Sequence, residues 1–205
     1  MSHLTIIVAA TKSNGIGQSG KLPWRLSKEM AYFARVTSSA PEERRNAVIM
    51  GRKTWESIPA KFKPLPKRFN VVVSHNGDYE LTPSSPSAPV HLCSNLASAV
   101  ELTSQADIHR RFIIGGVSLF SETLNPTSTN PISCIADRIL LTRIISPDFP
   151  QCDVYMPDFL EAGDGTAIWK QAFHDELVEW TGFDVPAGIQ EENGVSYEFQ
   201  MWLRQ

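Results

Sequence analysis

Apolar runs and polar punctuation alternate along the chain in a strand, turn, helix rhythm. Leu4 to Ala10 is a short apolar run ending at Thr11-Lys12-Ser13-Asn14-Gly15, the pattern of an internal strand covered on both faces. Ser27 can then cap a helix running to about Thr37, with Leu26, Met30, Phe33 and Ala34 or Thr37 as its inward stripe. Ala47-Val48-Ile49-Met50 predicts a second strand closing at Gly51, followed by at most a brief helix from Arg52 to Ser57 before Ile58-Pro59. A third strand runs from Arg68 to Ser74, and the Ser- and Pro-rich stretch from His75 to Pro89 is an external excursion. Asn95 caps a helix through about Gln105, with Leu96, Ala99, Val100 and Thr103 inward. Arg111 to Ile114 is a strand entering Gly115-Gly116, and Val117 to Leu124 a short helix stopped by Asn125-Pro126. The remainder reads as β-rich: Ile139 to Ile145, Trp169 to Phe173, Glu179 to Thr181, and Val195 to Leu203. The last of these alternates apolar and polar residues, which predicts an antiparallel strand at the sheet edge with one wet face.

Composition changes this picture little. With 205 residues, 42% hydrophobic and 20% charged, the chain suits one domain with a sizeable core. A formal charge of −3 gives no bulk attraction to nucleic acid or anionic lipid. Leu4 to Ala10 lacks the basic flank and the length of a secretory signal, and no stretch approaches the roughly 18 apolar residues of a membrane span. A soluble, cytoplasmic protein is expected. Cys93, Cys134 and Cys152 are widely spaced and odd in number, so reduced core thiols are expected rather than disulfides or a metal site.

Five places carry candidate chemistry. Gly15, Gly17 and Gly20 match the dinucleotide fingerprint after a strand, but Pro23 keeps Leu22 out of helical geometry, so the helix the fingerprint needs does not begin there. A flexible, glycine-jointed loop is the better reading. Glu29 lies in the first helical turn, which stabilises its anion, among apolar Trp24, Met30 and Phe33, which oppose it. It is either a solvated first-turn acid or a carboxylate able to take two nitrogens of a flat heterocycle. The backbone amides of Val117, Ser118 and Leu119 after Gly115-Gly116 can receive a phosphate, although a tight turn explains the glycines equally well. Gly51-Arg52-Lys53-Thr54 is a similar junction. It is not a P-loop, because Ala47 and Arg52 stand where that motif needs glycine. Arg68 offers a fork for a carboxylate, or is an exposed strand-end cation.

Taken in order, Ile7-Val8-Ala9-Ala10, Asn14-Gly15-Ile16-Gly17, Leu22-Pro23-Trp24, Glu29, Tyr32-Phe33, Ile49 to Trp55, Ser57-Ile58-Pro59, Pro64-Leu65 with Arg68, Ile114-Gly115-Gly116 with Phe120, Leu141-Thr142-Arg143 and Tyr197-Glu198-Phe199 resemble the dihydrofolate reductase family over essentially the whole chain. Length and insertions resemble eukaryotic members, fungal ones among them. The resemblance implies a single-domain α/β fold over residues 1–205, with a central, mostly parallel twisted sheet, an antiparallel C-terminal edge and flanking helices. It implies NADPH-dependent reduction of dihydrofolate, antifolate inhibitors as ligands, a monomer, and no metal, nucleic acid or membrane partner.

The resemblance also implies roles. Glu29, with Thr142 and a water linked to Trp24, would hold the pterin. Ile7, Val8, Phe33, Ile58, Leu65 and Ile114 would wall the substrate, and Arg68 would pair with its glutamyl α-carboxylate. Ala9, Ile16 and Gly116 would border the nicotinamide, under a lid that includes Gly17, Lys21 and Leu22. The cofactor phosphates would meet Gly51, Arg52, Lys53 and Thr54 at one junction and Gly115, Gly116, Val117, Ser118, Leu119 and Phe120 at the other. Ser74, His75 and Ser94 would lie near the 2′-phosphate, where relatives carry basic side chains, which weakens discrimination by charge. A cis bond between Gly115 and Gly116 is implied as well. A same-fold reductase of another pterin or of a riboflavin-pathway pyrimidine would leave Arg68 without a carboxylate to meet. A non-enzymatic nucleotide-binding module would leave Glu29 without a purpose.

Overall fold

The structure, a computed structural model, describes residues 4–81, 84–125, 134–160 and 168–205. Its first half is built from β1 (Leu4–Thr11), β2 (Gly15–Gly17), α1 (Ser27–Ser38), β3 (Arg45–Gly51), α2 (Arg52–Ser57), β4 (Arg68–Val73), β5 (Val90–Cys93) and α3 (Leu96–Leu102). The second half adds β6 (Ile108–Ile113), α4 (Val117–Leu124), β7 (Ala136–Ser146), β8 (Val154–Tyr155), β9 (Trp169–Gln171), α5 (His174–Thr181), β10 (Gln190–Glu192) and β11 (Val195–Arg204). Among the described residues one large sheet has the order β10-β11-β7-β1-β6-β3-β4-β5, with β9 also on β11. From β7 to β5 neighbouring strands are parallel, whereas β11 runs antiparallel to β7, β9 and β10. This is an α/β fold with a mostly parallel centre and an antiparallel C-terminal side.

A parallel strand covered by helices on both faces needs apolar residues at every position. β3 shows this directly: Ala47 and Ile49 join the core that includes α3 and α4, while Val48 and Met50 join the core that includes α1 and α5. All four are fully buried. The second core carries the side chains of interest, because Ile7, Trp24, Phe33, Ile58, Leu65 and Ile114 all belong to it.

Several expectations require correction. α1 begins at Ser27 itself, with Leu26 at the cap position and no side-chain cap from its own sequence. Its buried residues are Glu29, Tyr32, Val36 and Thr37, and Met30 faces solvent. The helix after Asn95 stops at Leu102, short of Gln105, although the Asn95 side chain does accept the Ser98 amide at 2.8 Å. Glu179-Trp180-Thr181 is the end of helix α5, not part of a β-rich tail. β11 has the expected alternation of burial but is not the sheet edge, since β10 and β9 flank it. Met1 to His3, Thr82 in the long excursion, and Pro126 after α4 lie outside the described residues.

The glycine loop is more tied down than its composition suggests. β2 pairs with β8, and the turn from Gln18 to Lys21 closes with Ser19 and Gly20 at positive φ. Gly15 is needed for a close approach, since a Cβ there would lie 2.7 Å from Cys152 Sγ. The Ser19 amide donates to Asp153 at 2.7 Å, which leaves Lys21 and the exposed Leu22 at the outer end.

Candidate active site

Glu29 is 6% exposed, although an acid in the first turn of a surface helix is normally wet. Burial pushes its carboxyl up to about 7; the Thr142 hydroxyl, donating to Oε1 at 3.3 Å, opposes that shift, and the charge of Glu192 adds to it. Thr142 owes its place to strand register, being paired with Ala9 on β1 and Phe199 on β11. Phe199 in turn packs on Tyr32, the ring centroids 4.2 Å apart. Trp24 packs edge-on to Phe149 at 5.3 Å. The indole N–H of Trp24 and the hydroxyls of Tyr32 and Tyr197 are buried without a protein partner among the described residues. Burial and the neighbouring Glu29 both push the Tyr32 phenol above its ordinary range. The result is a largely apolar neighbourhood with one buried carboxyl and, among the described residues, three unpaired donors.

α1 acts as a ruler. Glu29, Phe33 and Thr37 recur at four-residue intervals and so lie along one side of the helix, spanning about 12 Å at about 1.5 Å per residue. At the far end, Arg68 is 5% exposed and donates to Thr37 Oγ1 at 2.8 Å and to the Pro66 carbonyl at 3.0 Å. Burial pulls its guanidinium down to about 10, so it remains a cation at neutral pH, and no carboxylate pairs with it among the described residues. Ser38 and Lys67, the chain neighbours of that pair, line with Arg44 part of a hollow of about 570 Å³ whose lining includes neither Thr37 nor Arg68.

A second arrangement forms where β3 and β6 end side by side. The Gly51 amide donates to Gly115 O at 2.8 Å, and the Gly115-Gly116 peptide is cis, as the resemblance implies. A Cβ on Gly115 would lie 3.0 Å from Thr54 Oγ1, and one on Gly116 would lie 3.4 Å from the same atom. Neither α2 nor α4 has a side-chain cap, so their first amides are free to face an anion. Lys53 is exposed at the start of α2, with Thr54 half-buried beside it. Arg52 is partly engaged, 3.4 Å from Glu56 and 5.8 Å above the ring of Tyr79.

Other sequence candidates divide according to side-chain direction. Val8 and Ile16 pack against the core on the α3 and α4 side, as do the buried Leu119 and Phe120. Those four can reach the opposite face only through their backbones. Ser118 and His75 are exposed, while Ser74 is buried and its hydroxyl accepts the Asn76 amide. Ser94 is exposed and bonded to Asn95 at 3.3 Å, next to an open hollow of about 420 Å³ lined in part by His91, Leu92 and Leu102. Among the described residues no cluster of His, Cys, Asp and Glu is arranged to hold a metal ion.

Sequence reading missed Glu192. Its two carboxylate oxygens accept the Ser27 amide at 2.7 Å and the Lys28 amide at 3.0 Å, taking the capping role expected of Ser27. Asn193 and Gly194, both at positive φ, form the two-residue turn between β10 and β11. An Asn-Gly pair between strands is a strong hairpin signal and was available in the sequence.

A dihydrofolate reductase family profile matches residues 3–179. The chain is similar to the dihydrofolate reductases of Cryptococcus neoformans, at 45% identity over 98% of this chain and 94% of that one, and of Pneumocystis carinii, at 41% over 98% and 96%. The solved structure of Schistosoma mansoni dihydrofolate reductase superposes with a TM-score of 0.74 at 33% identity, covering 99% of this chain and 98% of that one. With that match spanning most of its length, and with the sheet, the buried acid and the glycine junction it carries, the chain belongs to the dihydrofolate reductase family.

Proposed function

We propose that residues 1–205 form one catalytic unit that reduces 7,8-dihydrofolate to 5,6,7,8-tetrahydrofolate with NADPH. The observation that carries this reading is the ruler along α1: a buried carboxyl near one end, a buried arginine bonded to Thr37 at the other with no carboxylate partner among the described residues, and Phe33 between them. A substrate matching it has a flat, N–H-bearing ring, an aromatic middle and a terminal carboxylate.

In this reading Glu29 accepts hydrogen bonds from the 2-amino group and N3 of the pterin, and Thr142 orients the carboxylate through its hydroxyl. Trp24 donates into the same polar network from a buried indole. Ile7, Phe33, Ile58, Leu65 and Ile114 exclude water and fix the ring plane. Arg68 takes the tail carboxylate, with Arg44 and Lys67 extending positive charge beyond it.

The residues present fit a dinucleotide. The glycine junction lets a ligand reach backbone, the uncapped start of α4 suits a pyrophosphate, and Arg52, Lys53 and Thr54 lie one strand away. The hollow beside Ser94 offers His91 and Leu92 to a flat ring. When bound, NADPH supplies the hydride that reduces pterin C6. Ala9 and Gly116 keep that region narrow, and the tip of the glycine loop closes over it against water. Glu29 tunes the pterin electrostatically, and the proton at N5 arrives through solvent rather than from the carboxyl directly. The 45% and 41% identities to the Cryptococcus and Pneumocystis relatives favour a fungal source within that family.

The test follows NADPH absorbance on adding dihydrofolate, with a pterin lacking the glutamyl tail as comparator. Oxidation of NADPH that depends on dihydrofolate, with a much higher KM for the tail-less substrate, is expected. Absence of turnover refutes the activity, and equal KM values refute the role given to Arg68.

A further inference from the structure

We propose that Glu192, on the hairpin far from α1 in sequence, is a positioning residue of the Glu29 site: it docks the first turn of α1 onto β10 and sets a second negative charge against Glu29. The geometry is a three-point clasp. Glu192 Oε1 and Oε2 accept the Ser27 and Lys28 amides at 2.7 and 3.0 Å, and Asn193 Nδ2 donates to the Arg25 carbonyl at 2.8 Å. The clasp is rigid because Glu192 pairs with Val195 across a two-residue turn whose Asn193 and Gly194 both have positive φ. Glu29 follows the clasped amides directly, so displacement of this turn displaces its carboxyl.

The clasp has two electrostatic consequences of the same sign. Amides at the start of a helix stabilise a nearby anion, and here Glu192 occupies two of them, leaving less of that field for Glu29. The Glu192 charge also acts on Glu29 directly and helps hold its carboxyl up. The Lys28 amide holds Glu192 itself below the usual carboxylate range, with the Ser27 amide and the Lys28 charge adding to the effect. The other groups facing Glu29 are Tyr32 on its own helix, Tyr197 on β11 and the Thr142 hydroxyl on β7; β1 contributes no titratable side chain. Both phenols are pushed up by burial, so they remain neutral around pH 7 and leave Glu192 as the nearby anion.

The inference deepens the reductase reading and relies on it only for the consequence to catalysis. Its test uses the ligand-free protein. Carboxyl ¹³C NMR of Glu-labelled protein is followed from pH 3 to 9 in the wild type, in Glu192→Gln and in Glu192→Asp. The Glu29 midpoint is expected to fall by about half a pH unit or more in Glu192→Gln, and to be largely retained in Glu192→Asp. The acid limb of kcat/KM should follow it. A folded Glu192→Gln whose Glu29 midpoint is unchanged or raised overturns the proposal. Should that variant not fold, the wild type decides: a Glu29 carboxyl resonance that shows a second, smaller inflection where Glu192 titrates upholds it, and one without that inflection overturns it. Absence of reductase activity with the expected midpoint shift would sink the catalytic reading and leave the clasp standing.

Discussion

Replacing Glu29 with Gln should weaken the enzyme and strengthen the fold at the same time. The carboxyl is raised from 4.5 to about 7 chiefly by burial, so the folded protein binds a proton that the unfolded chain releases. A raised acid contributes stability that is fully present below the unfolded value of 4.5 and is lost as pH climbs through about 7. At about 1.4 kcal/mol per pH unit, the whole interval corresponds to about 3 kcal/mol. Gln keeps the shape and cannot ionise. The stability gap between variant and wild type should therefore widen in the variant's favour by on the order of 2–3 kcal/mol between pH 4.5 and 8, half of it by about pH 6, and level off above about 7. Urea unfolding followed by tryptophan fluorescence measures the gap at each pH, and most other titrations cancel between the two proteins. Turnover at neutral pH should meanwhile fall by on the order of 100-fold or more if, as proposed, that charge orients and polarises the pterin. A gap that does not change with pH would mean that the carboxyl is wet and ionised throughout. Near-normal turnover would remove Glu29 from the chemistry.

Arg68→Gln should raise KM for dihydrofolate by on the order of 30- to 100-fold, a loss of about 2–3 kcal/mol, and leave KM for a tail-less pterin unchanged; an equal rise for both substrates would contradict tail recognition. Gly15→Ala places a methyl 2.7 Å from Cys152 Sγ and 2.9 Å from its Cβ, and should cost about 1–3 kcal/mol in chemical denaturation. Cys152→Gly in the same chain should recover part of that loss, and strict additivity of the two changes would refute the clash. Arg52→Leu should raise KM for NADPH by about 10-fold with little effect on NADH, a modest change because Glu56 and Tyr79 already hold part of that side chain. Equal effects on both cofactors would end its role in choosing between them.

What could be read from the sequence was mostly what is local. The Asn95 cap is a side chain bonding three residues ahead, and it forms as its sequence position demands. The alternation along β11 survives because one face of that strand is packed against a core. Ser27, by contrast, loses its capping role to a carboxylate 165 residues away, and short-range pattern carries no sign of such a partner. α5 was missed because only Leu177 and Thr181 are buried along it, too narrow a stripe for a clear helical period. Its other markers were present: Asp175 and Glu176 in the first turn, the Glu176 side chain accepting the Phe173 amide at 2.7 Å, and Gly182 at φ +76 closing the end. The inward face of α1 departs from the apolar pattern at two positions. Apolar Met30 was assigned to the core and polar Glu29 left ambiguous, whereas the fold exposes the methionine and buries the acid.

That inversion is itself the strongest argument about the site. Glu29, a carboxyl with several acceptor positions, accepts one side-chain hydrogen bond among the described residues, from Thr142 at 3.3 Å, and the charge of a second acid, Glu192, opposes its ionisation. Nothing in the packing of α1 requires this, since an apolar residue of similar size would fill the same space without the desolvation cost. In the proposed reading, a ring bearing two N–H groups would offset that cost by satisfying both oxygens in a space from which water is excluded. At the other end of the helix, Arg68 is likewise buried with neutral partners only among the described residues. A buried acid near the start of α1 and a buried arginine bonded to Thr37, about 12 Å further along that helix, fit the proposed ligand's polarity and apolar middle more closely than either residue does alone.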